Sequence, residues 1–377
     1  MKIIHLSDTH IGFNELDKIT REGVNVREQD FYDAFEKTIN RIIEIKPSAV
    51  IHTGDFFHRP SPANRPMIFG LSQLKRLEKE KIPFYVISGN HETPRTAYSS
   101  PILQAFSTLD NVFPIYGRNY EKHETGDLII HGVPHINDES VYSDELKKVK
   151  IIPGRVNILM LHTTVGKDYI MDEYGEKVLP GEMYESLKEF NYTALGHWHN
   201  FQQIKKAGNA WYSGSTERLS EKEADKEKGF IIADFSDKGD VKINFEIIPA
   251  RTWKRIDIDS CADKTIENLK KEIISAADTF KIDGAIITIN LYNIKPEQSI
   301  EISNKALADF FPDALTVIPR RFLFSDKDKL SSKISTHETM DELFDSYLKN
   351  KCENDAEYIQ MKEISSKYFS TLNRGME

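Results

Sequence analysis

"GHWH", residues 196–199, closes the apolar run "YTALGHWH" (192–199) and sets two histidines one residue apart just after a glycine. On a loop, two such histidines can converge on one point, a geometry that suits metal ligation. An ion needs more donors than two, and the rest of the chain supplies them in a regular way. "KIIHLS" (2–7) is a short apolar strand running into "SDTH", with Asp8 and His10. "AVIHTGD" (49–55) ends on Asp55 and is followed by His58 in "GDFFHRPSPANRP" (54–66). "PFYVISGNHE" (83–92) stops at Asn90, His91 and Glu92, and "VNILMLHTT" (156–164) at His162. Between the strands, "QDFYDAFEKTINRIIEIK" (29–46) repeats apolar residues at helical spacing, and "PMIFGLSQLKRLEKEK" (66–81) reads as another helix. In alternating α/β chains the functional groups gather beyond the carboxyl ends of the strands.

The strand-end set of Asp8, His10, Asp55, Asn90, His162, His197 and His199 offers carboxylate, imidazole and amide oxygen. These donors suit Mn²⁺, Fe²⁺ or Zn²⁺, and the lack of nearby thiolates argues against a structural zinc site. The set is too large for one ion and sufficient for two that share Asp55, at the ~3.5–4 Å spacing of two-metal hydrolases. Gly54, Gly89 and Gly196 precede three of the motifs and permit a close approach of backbone to the site. His5 and His52 lie inside apolar strands and read as satisfied core histidines, and His131 and His135 lack a spaced partner.

The 377 residues allow two or three domains, and 39% hydrophobic with 10% aromatic content is ordinary for a globular chain. No stretch approaches the ~20 apolar residues that span a bilayer, and the N-terminus turns polar too early for a signal peptide. Cys261 and Cys352 offer neither a disulfide framework nor a thiolate cluster, which fits a cytoplasmic protein with no membrane association. The formal net charge of −9 means that any nucleic-acid binding must use a local patch, bound cations or a partner. Lys205 with Lys206, Lys254 with Arg255, and Arg320 with Arg321 are candidate basic pairs, although such pairs usually just face water.

After about residue 248 the pattern changes. "KRIDID" (254–259), "GAIITINLY" (284–292) and "ALTVI" (314–318) read as strands, with helices at 264–280 and 297–311, giving a small α+β domain over 249–325. A polar linker at 326–337 follows. The tail, 338–377, is expected to be helical, with Met340, Leu343, Phe344, Tyr347 and Leu348 on one apolar stripe and Tyr358, Met361, Ile364 and Tyr368 on a second.

D-x-H, G-D, G-N-H-E, a single His and G-H-x-H, in that order, resemble the calcineurin-like metallophosphoesterase superfamily. His58 after two aromatics, "IHLSDTHIG", "VISGNHE" and "YSGSTERLSEKEADKEKGF" (212–230) resemble, within it, the SbcD/Mre-eleven family of DNA-repair nucleases. The resemblance implies an α/β fold: a metallophosphoesterase α/β/β/α sandwich over 1–248, a DNA-binding capping domain and the helical tail. It implies two Mn²⁺ ions per chain, one on Asp8, His10, Asp55 and His199 and the other on Asp55, Asn90, His162 and His197. His91 would act on the transition state or the leaving oxygen, with His58 orienting the phosphate. Glu92 is expected to hold a histidine in one tautomer. The implied function is a double-strand-break repair and recombination nuclease: a 3′–5′ exonuclease on DNA ends and an endonuclease on single strands and hairpins. The implied assembly is a homodimer joined to an SbcC/Rad-fifty-type ATPase through the tail. The competing expectations are a phosphatase or cyclic-nucleotide phosphodiesterase, and a catalytically silent scaffold on DNA ends.

Overall fold

The computed structural model of the chain describes residues 1–96, 99–171, 175–277 and 280–324, with scattered positions between 344 and 365. The strands in chain order are β1 (Lys2–Leu6), β2 (Ala49–His52), β3 (Phe84–Ile87), β4 (Val112–Ile115), β5 (Glu121–Thr125), β6 (Leu128–Val133), β7 (Val156–His162), β8 (Tyr192–Gly196), β9 (Gln202–Gln203), β10 (Ala210–Tyr212), β11 (Gly229–Phe235), β12 (Val241–Ile247), β13 (Trp253–Ile258), β14 (Ile286–Ile294) and β15 (Thr316–Leu323). One sheet has the order β12-β11-β1-β2-β3-β4 and a second β5-β6-β7-β8-β10-β9. The central strands β1 to β4 run parallel, as do β6 to β8, so their carboxyl ends lie on one side.

Alternation along the strands decides the layers. Ile3, Ile51, Tyr85 and Ile87 point inward and meet Ile130, Ile158, Met160 and Tyr192 of the second sheet, forming a core between the sheets. Ile4, Leu6, Val50, Phe84 and Val86 point the other way, onto helices α1 (Val26–Ile45) and α2 (Asn64–Lys79). On the far side, Val133, Leu159 and Leu161 meet Tyr142 and Leu146 of α3 (Glu139–Lys148), with Leu187 of α4 (Tyr184–Leu187). The four layers are helix, sheet, sheet and helix. Both faces of the central strands are covered, which is why they read as nearly unbroken apolar runs. The first helix begins three residues before the expected start because the Asn25 side chain accepts from the Arg27 and Glu28 amides and caps it.

The third sheet, β13-β14-β15, is parallel and carries its helices on one face. Ile256, Ile287, Ile289 and Leu291 pack there on Leu269 and Ile273 of α5 (Ile266–Ala276). The single helix expected over 297–311 is instead two, Pro296–Glu301 and Asn304–Asp309. Ser303 breaks it: its side chain accepts from the Ala306 amide and caps the second helix. The expected linker at 326–337 and most of the expected tail at 338–377, including Met340, Leu343, Tyr347, Ile364 and Tyr368, lie outside the described residues.

Gly132 sits in β6 facing Ile87 and Ile115 of the other sheet. A Cβ there would stand 2.3 Å from Ile115 Cδ1 and 3.1 Å from Ile87 Cγ2. Gly132→Ala is therefore expected to lower stability by ~1–3 kcal/mol through overpacking. Adding Ile115→Val, which removes that Cδ1, should recover most of the loss in urea unfolding. Additive destabilisation in the double variant would place the strain elsewhere.

Candidate metal centre

The strand ends of β1, β2, β3, β7 and β8 deliver their polar residues to one buried point. Asp8 (φ 51°), His10 (φ 40°), Asp55 (φ 55°) and His197 (φ 98°) all take left-handed backbone within four residues of the ends of β1, β2 and β8. For residues with a Cβ this costs energy, and it persists only where the surroundings fix it. The glycines make the crowding possible. A Cβ on Gly196 would stand 2.0 Å from the Thr53 carbonyl oxygen, and one on Gly89 would stand 2.1 Å from Asp55 Oδ1.

The seven expected ligands do come together. His10 Nε2 and His199 Nε2 are 3.3 Å apart, and with Asp8 they form one cluster of donors within 4.8 Å of each other. Asp8, Asp55 and His162 form a second. Asp55 Oδ2 lies between the two groups, 3.7 Å from His10 Nε2 and 3.3 Å from His162 Nε2. Asn90 Oδ1 is 2.8 Å from His162 Nε2. His197 packs its ring edge-on to His162 with centroids 5.4 Å apart, and its amide donates to Asp8 Oδ1 at 3.1 Å. Its Nε2 stands 3.0 Å from the Glu176 carboxylate.

The chemistry of this donor set fits a cation. Asp55 Oδ2 is fully buried and accepts no hydrogen bond within the protein, and a bare carboxylate oxygen in that position is costly. Burial pushes the Asp8 carboxyl up, with the His199 and His162 imidazoles opposing. Burial would also raise Asp55, but the His162 and His91 imidazoles hold it well below the usual carboxylate range. Burial depresses His162, yet Asp55 outweighs this and takes the imidazole up to about 9. The protein alone thus borrows a proton to balance its carboxylates, a role that a divalent ion would take over. A separation of 3.3 Å between two imidazole nitrogens is also close to what two ligands ~2.1 Å from one ion adopt at an angle of about 100–110°.

His58 and His91 stand together at the edge of this centre. Their rings stack with centroids 5.0 Å apart, and both lie against His10, at 5.4 and 4.7 Å. His91 Nδ1 donates to the His58 carbonyl at 2.9 Å, and the His91 amide donates to Asp55 Oδ1 at 2.9 Å. The ring is thereby fixed with a proton on Nδ1.

Glu92 does something other than orient a histidine. Its buried carboxylate accepts from four backbone amides: Asp55 at 2.9 Å, Phe57 at 3.0 Å, Gly89 at 2.8 Å, and Phe56. It clamps the Gly54–Phe57 turn to the Gly89–Glu92 turn, so the expectation of a tautomer-setting role is corrected. Two further carboxylates were not singled out from the sequence. Glu176 reaches His197 from the loop after β7, and Glu223 stands 3.1 Å from His199 Nδ1. Both lie in irregular polar segments with no periodicity to mark them.

His5 and His52 are buried beneath the centre, as expected of core histidines. His5 bonds Tyr192 Oη at 2.8 Å and Thr53 Oγ1 at 3.0 Å, and His52 bonds Thr9 Oγ1 at 3.0 Å. His131 lies between Tyr120 and Asn157, and His135 between Thr93 and the Gly175 carbonyl, both outside the cluster. Burial takes His5 and His52 from 6.5 down to about 3. Between these values the unfolded chain binds protons that the folded chain does not, so stability falls as pH falls, by up to ~1.4 kcal/mol per pH unit for each histidine. Urea midpoints measured in EDTA should therefore drop on acidification below neutrality. His5→Gln, which cannot take up the proton, should give a shallower slope, and an unchanged slope would contradict the assignment.

Residues 1–201 match the calcineurin-like phosphoesterase family. The DNA double-strand break repair protein Mre11 of Methanococcus maripaludis is 27% identical over 367 residues, covering 93% of this chain and 91% of that protein. Its counterpart in Thermoplasma acidophilum is 31% identical over 284 residues, covering 72% of each. That of Saccharolobus solfataricus is 30% identical, covering 74% of this chain and 70% of the relative. The motif order, the convergent donors and these extended matches agree, and the chain belongs to the calcineurin-like phosphoesterase family and, within it, to the Mre11 family of DNA double-strand break repair proteins.

Proposed function

We propose that this chain is a manganese-dependent DNA nuclease of double-strand-break repair, holding two ions on the set that Asp55 bridges. The observation that carries the reading is Asp55 Oδ2, buried between His10 and His162 with two donor clusters on either side. We assign Asp8, His10, Asp55 and His199 to one ion and Asp55, Asn90, His162 and His197 to the other. When bound, two divalent ions offset the charge of a phosphodiester and lower the pKa of a water between them.

The protein's own groups do the rest. His91, anchored through Nδ1 to the His58 carbonyl, offers Nε2 to the leaving 3′-oxygen, donating a proton or a hydrogen bond as that oxygen takes on charge. His58, stacked on His91 and edge-on to Phe13, steadies the phosphate. Glu92 keeps the two ligand turns in register, so that the donors stay at fixed separations when substrate enters.

The substrates we assign are DNA ends, single strands and hairpins. A cleft of about 400 Å³ lined by Thr93, Arg95, Arg118 and His135, with the acidic Asp138, continues from the Asn90–Glu92 turn in sequence and supports a path for the phosphate backbone. Two of the three basic pairs weighed from sequence contribute less to that path, whereas Lys205 and Lys206 are exposed. Lys254 pairs with Asp225, Arg255 with Asp257 and Arg320 with Glu221, while Arg321 bonds Asn304 and the Ile302 carbonyl. We read residues 1–248 as the nuclease domain and 249–325 as a cap that bears on DNA. The homodimer contact we place on α1 and α2, where Ile68 is 67% exposed. The tail we assign to an SbcC/Rad-fifty-type ATPase. In its support, the described tail residues Phe344, Ile359 and Met361 are exposed apolar groups, while Leu348 of the expected stripe is buried. No helix among the described residues is long and apolar enough to cross a membrane.

The test compares labelled duplex and hairpin DNA with a small phosphomonoester, in Mn²⁺ and in EDTA, with and without the ATPase. Cleavage of DNA that EDTA abolishes is expected. His91→Ser should retain bound manganese and DNA while losing ~10²–10⁴-fold in cleavage, whereas His197→Ser should bind manganese more weakly. Turnover of the phosphomonoester alone, or equal loss of metal in both variants, would overturn the reading.

A further inference from the structure

The second histidine of "GHWH" is held from behind by a charged pair, Glu223 and Lys228, from the segment at 212–230. His199 turns Nε2 toward His10 Nε2, 3.3 Å away, and Nδ1 toward Glu223 Oε1, 3.1 Å away. Glu223 belongs to the irregular segment between β10 and β11. Its Oε1 also accepts from the Leu219 amide at 3.3 Å, and its Oε2 from Ser215 Oγ at 3.3 Å and from Lys228 Nζ. Lys228 is 1% exposed and donates as well to Ser215 Oγ at 3.0 Å and to the His199 carbonyl at 2.8 Å. One buried ammonium therefore grips both the backbone of the ligand residue and the carboxylate behind its ring.

Burying such a pair costs several kcal/mol of hydration per ion, and well-packed apolar side chains of similar size often serve stability as well or better. The pair has a clearer use in orienting the ring. A carboxylate oxygen can only accept, so Nδ1 must carry the proton, which leaves Nε2 with its lone pair facing Asp8 and His10. The same contact makes the imidazole a stronger donor to a cation.

We propose that Glu223, locked by Lys228, is a positioning residue for His199, setting the tautomer and ring angle with which it meets the ion shared with Asp8 and His10. This rests on reading that cluster as a metal site. Glu223 itself touches neither ion nor substrate.

Two double variants separate orientation from simple fastening. Glu223→Leu with Lys228→Met removes the acceptor and leaves no buried ammonium unpaired. Glu223→Gln with Lys228→Met loses the same ion pair but keeps a carbonyl oxygen for Nδ1–H. Manganese uptake is followed through loss of the free-ion electron paramagnetic resonance signal. The Leu variant should bind one of two ions ~10–100-fold more weakly, and the Gln variant should recover most of that loss. Wild-type affinity in the Leu variant, or an equal loss in both, would overturn the proposal. Wild-type protein that takes up no manganese would instead defeat the metal reading on which it stands. The unaltered protein gives a check that does not depend on a variant folding. With ¹⁵N-labelled histidine and no metal, His199 should show the Nδ1–H tautomer, and an Nε2–H tautomer would refute the assignment.

Discussion

The structure depends on keeping the Asp55 carboxylate inside the protein, away from water, with Oδ2 between two groups of imidazoles. An unpaired carboxylate in such a place is costly enough that a protein ordinarily neutralises or removes it. Here the surroundings do the opposite and hold it ionised, and they raise His162 to do so. That arrangement suits a site that positive charge is to occupy. Much else about the site follows from it: the left-handed backbone at four residues beyond three strand ends, the glycines that let turns touch, and the carboxylate of Glu92 that binds two turns into one unit.

The sandwich supplies the rigidity. Parallel strands covered on both faces can place their carboxyl ends with little freedom, because each is fixed by neighbours in its sheet and by a core on either side. Five such ends from two different sheets converge, so the centre is shared between them. His162 Nδ1 to the Thr53 carbonyl at 2.8 Å and His5 to Tyr192 at 2.8 Å tie one sheet to the other beneath the donors. The segment between β10 and β11 extends this support outward. Glu217 accepts from the Arg251 amide, Arg218 donates to the Arg251 carbonyl, and Glu221 pairs with Arg320. The same segment that backs the candidate ligand His199 therefore also fastens the β13-β14-β15 sheet.

Much of the site was legible because each motif terminates an apolar strand. A run such as "VNILMLHTT" states where the strand ends, and the fold rule for parallel sheets states that those ends meet. What was not legible sits where the chain has no period. Glu176 and Glu223 come from polar loops, and nothing in "SEKEADKEK" marks one acid among several. Glu92 was found but misread, since its role depends on the shape of the 54–57 turn, which spacing alone does not reveal. Strands without chemistry at their ends, such as β11, were also missed. The broken helix at Ser303 shows a local cap overriding an apolar pattern.

The most direct measurement is crystallographic: anomalous diffraction at the manganese edge from crystals grown with Mn²⁺. The account predicts two peaks about 3.5–4 Å apart, one among Asp8, His10 and His199, the other among Asn90, His162 and His197, with Asp55 between them. A single peak, or peaks that leave Asp55 without a metal neighbour, would contradict it.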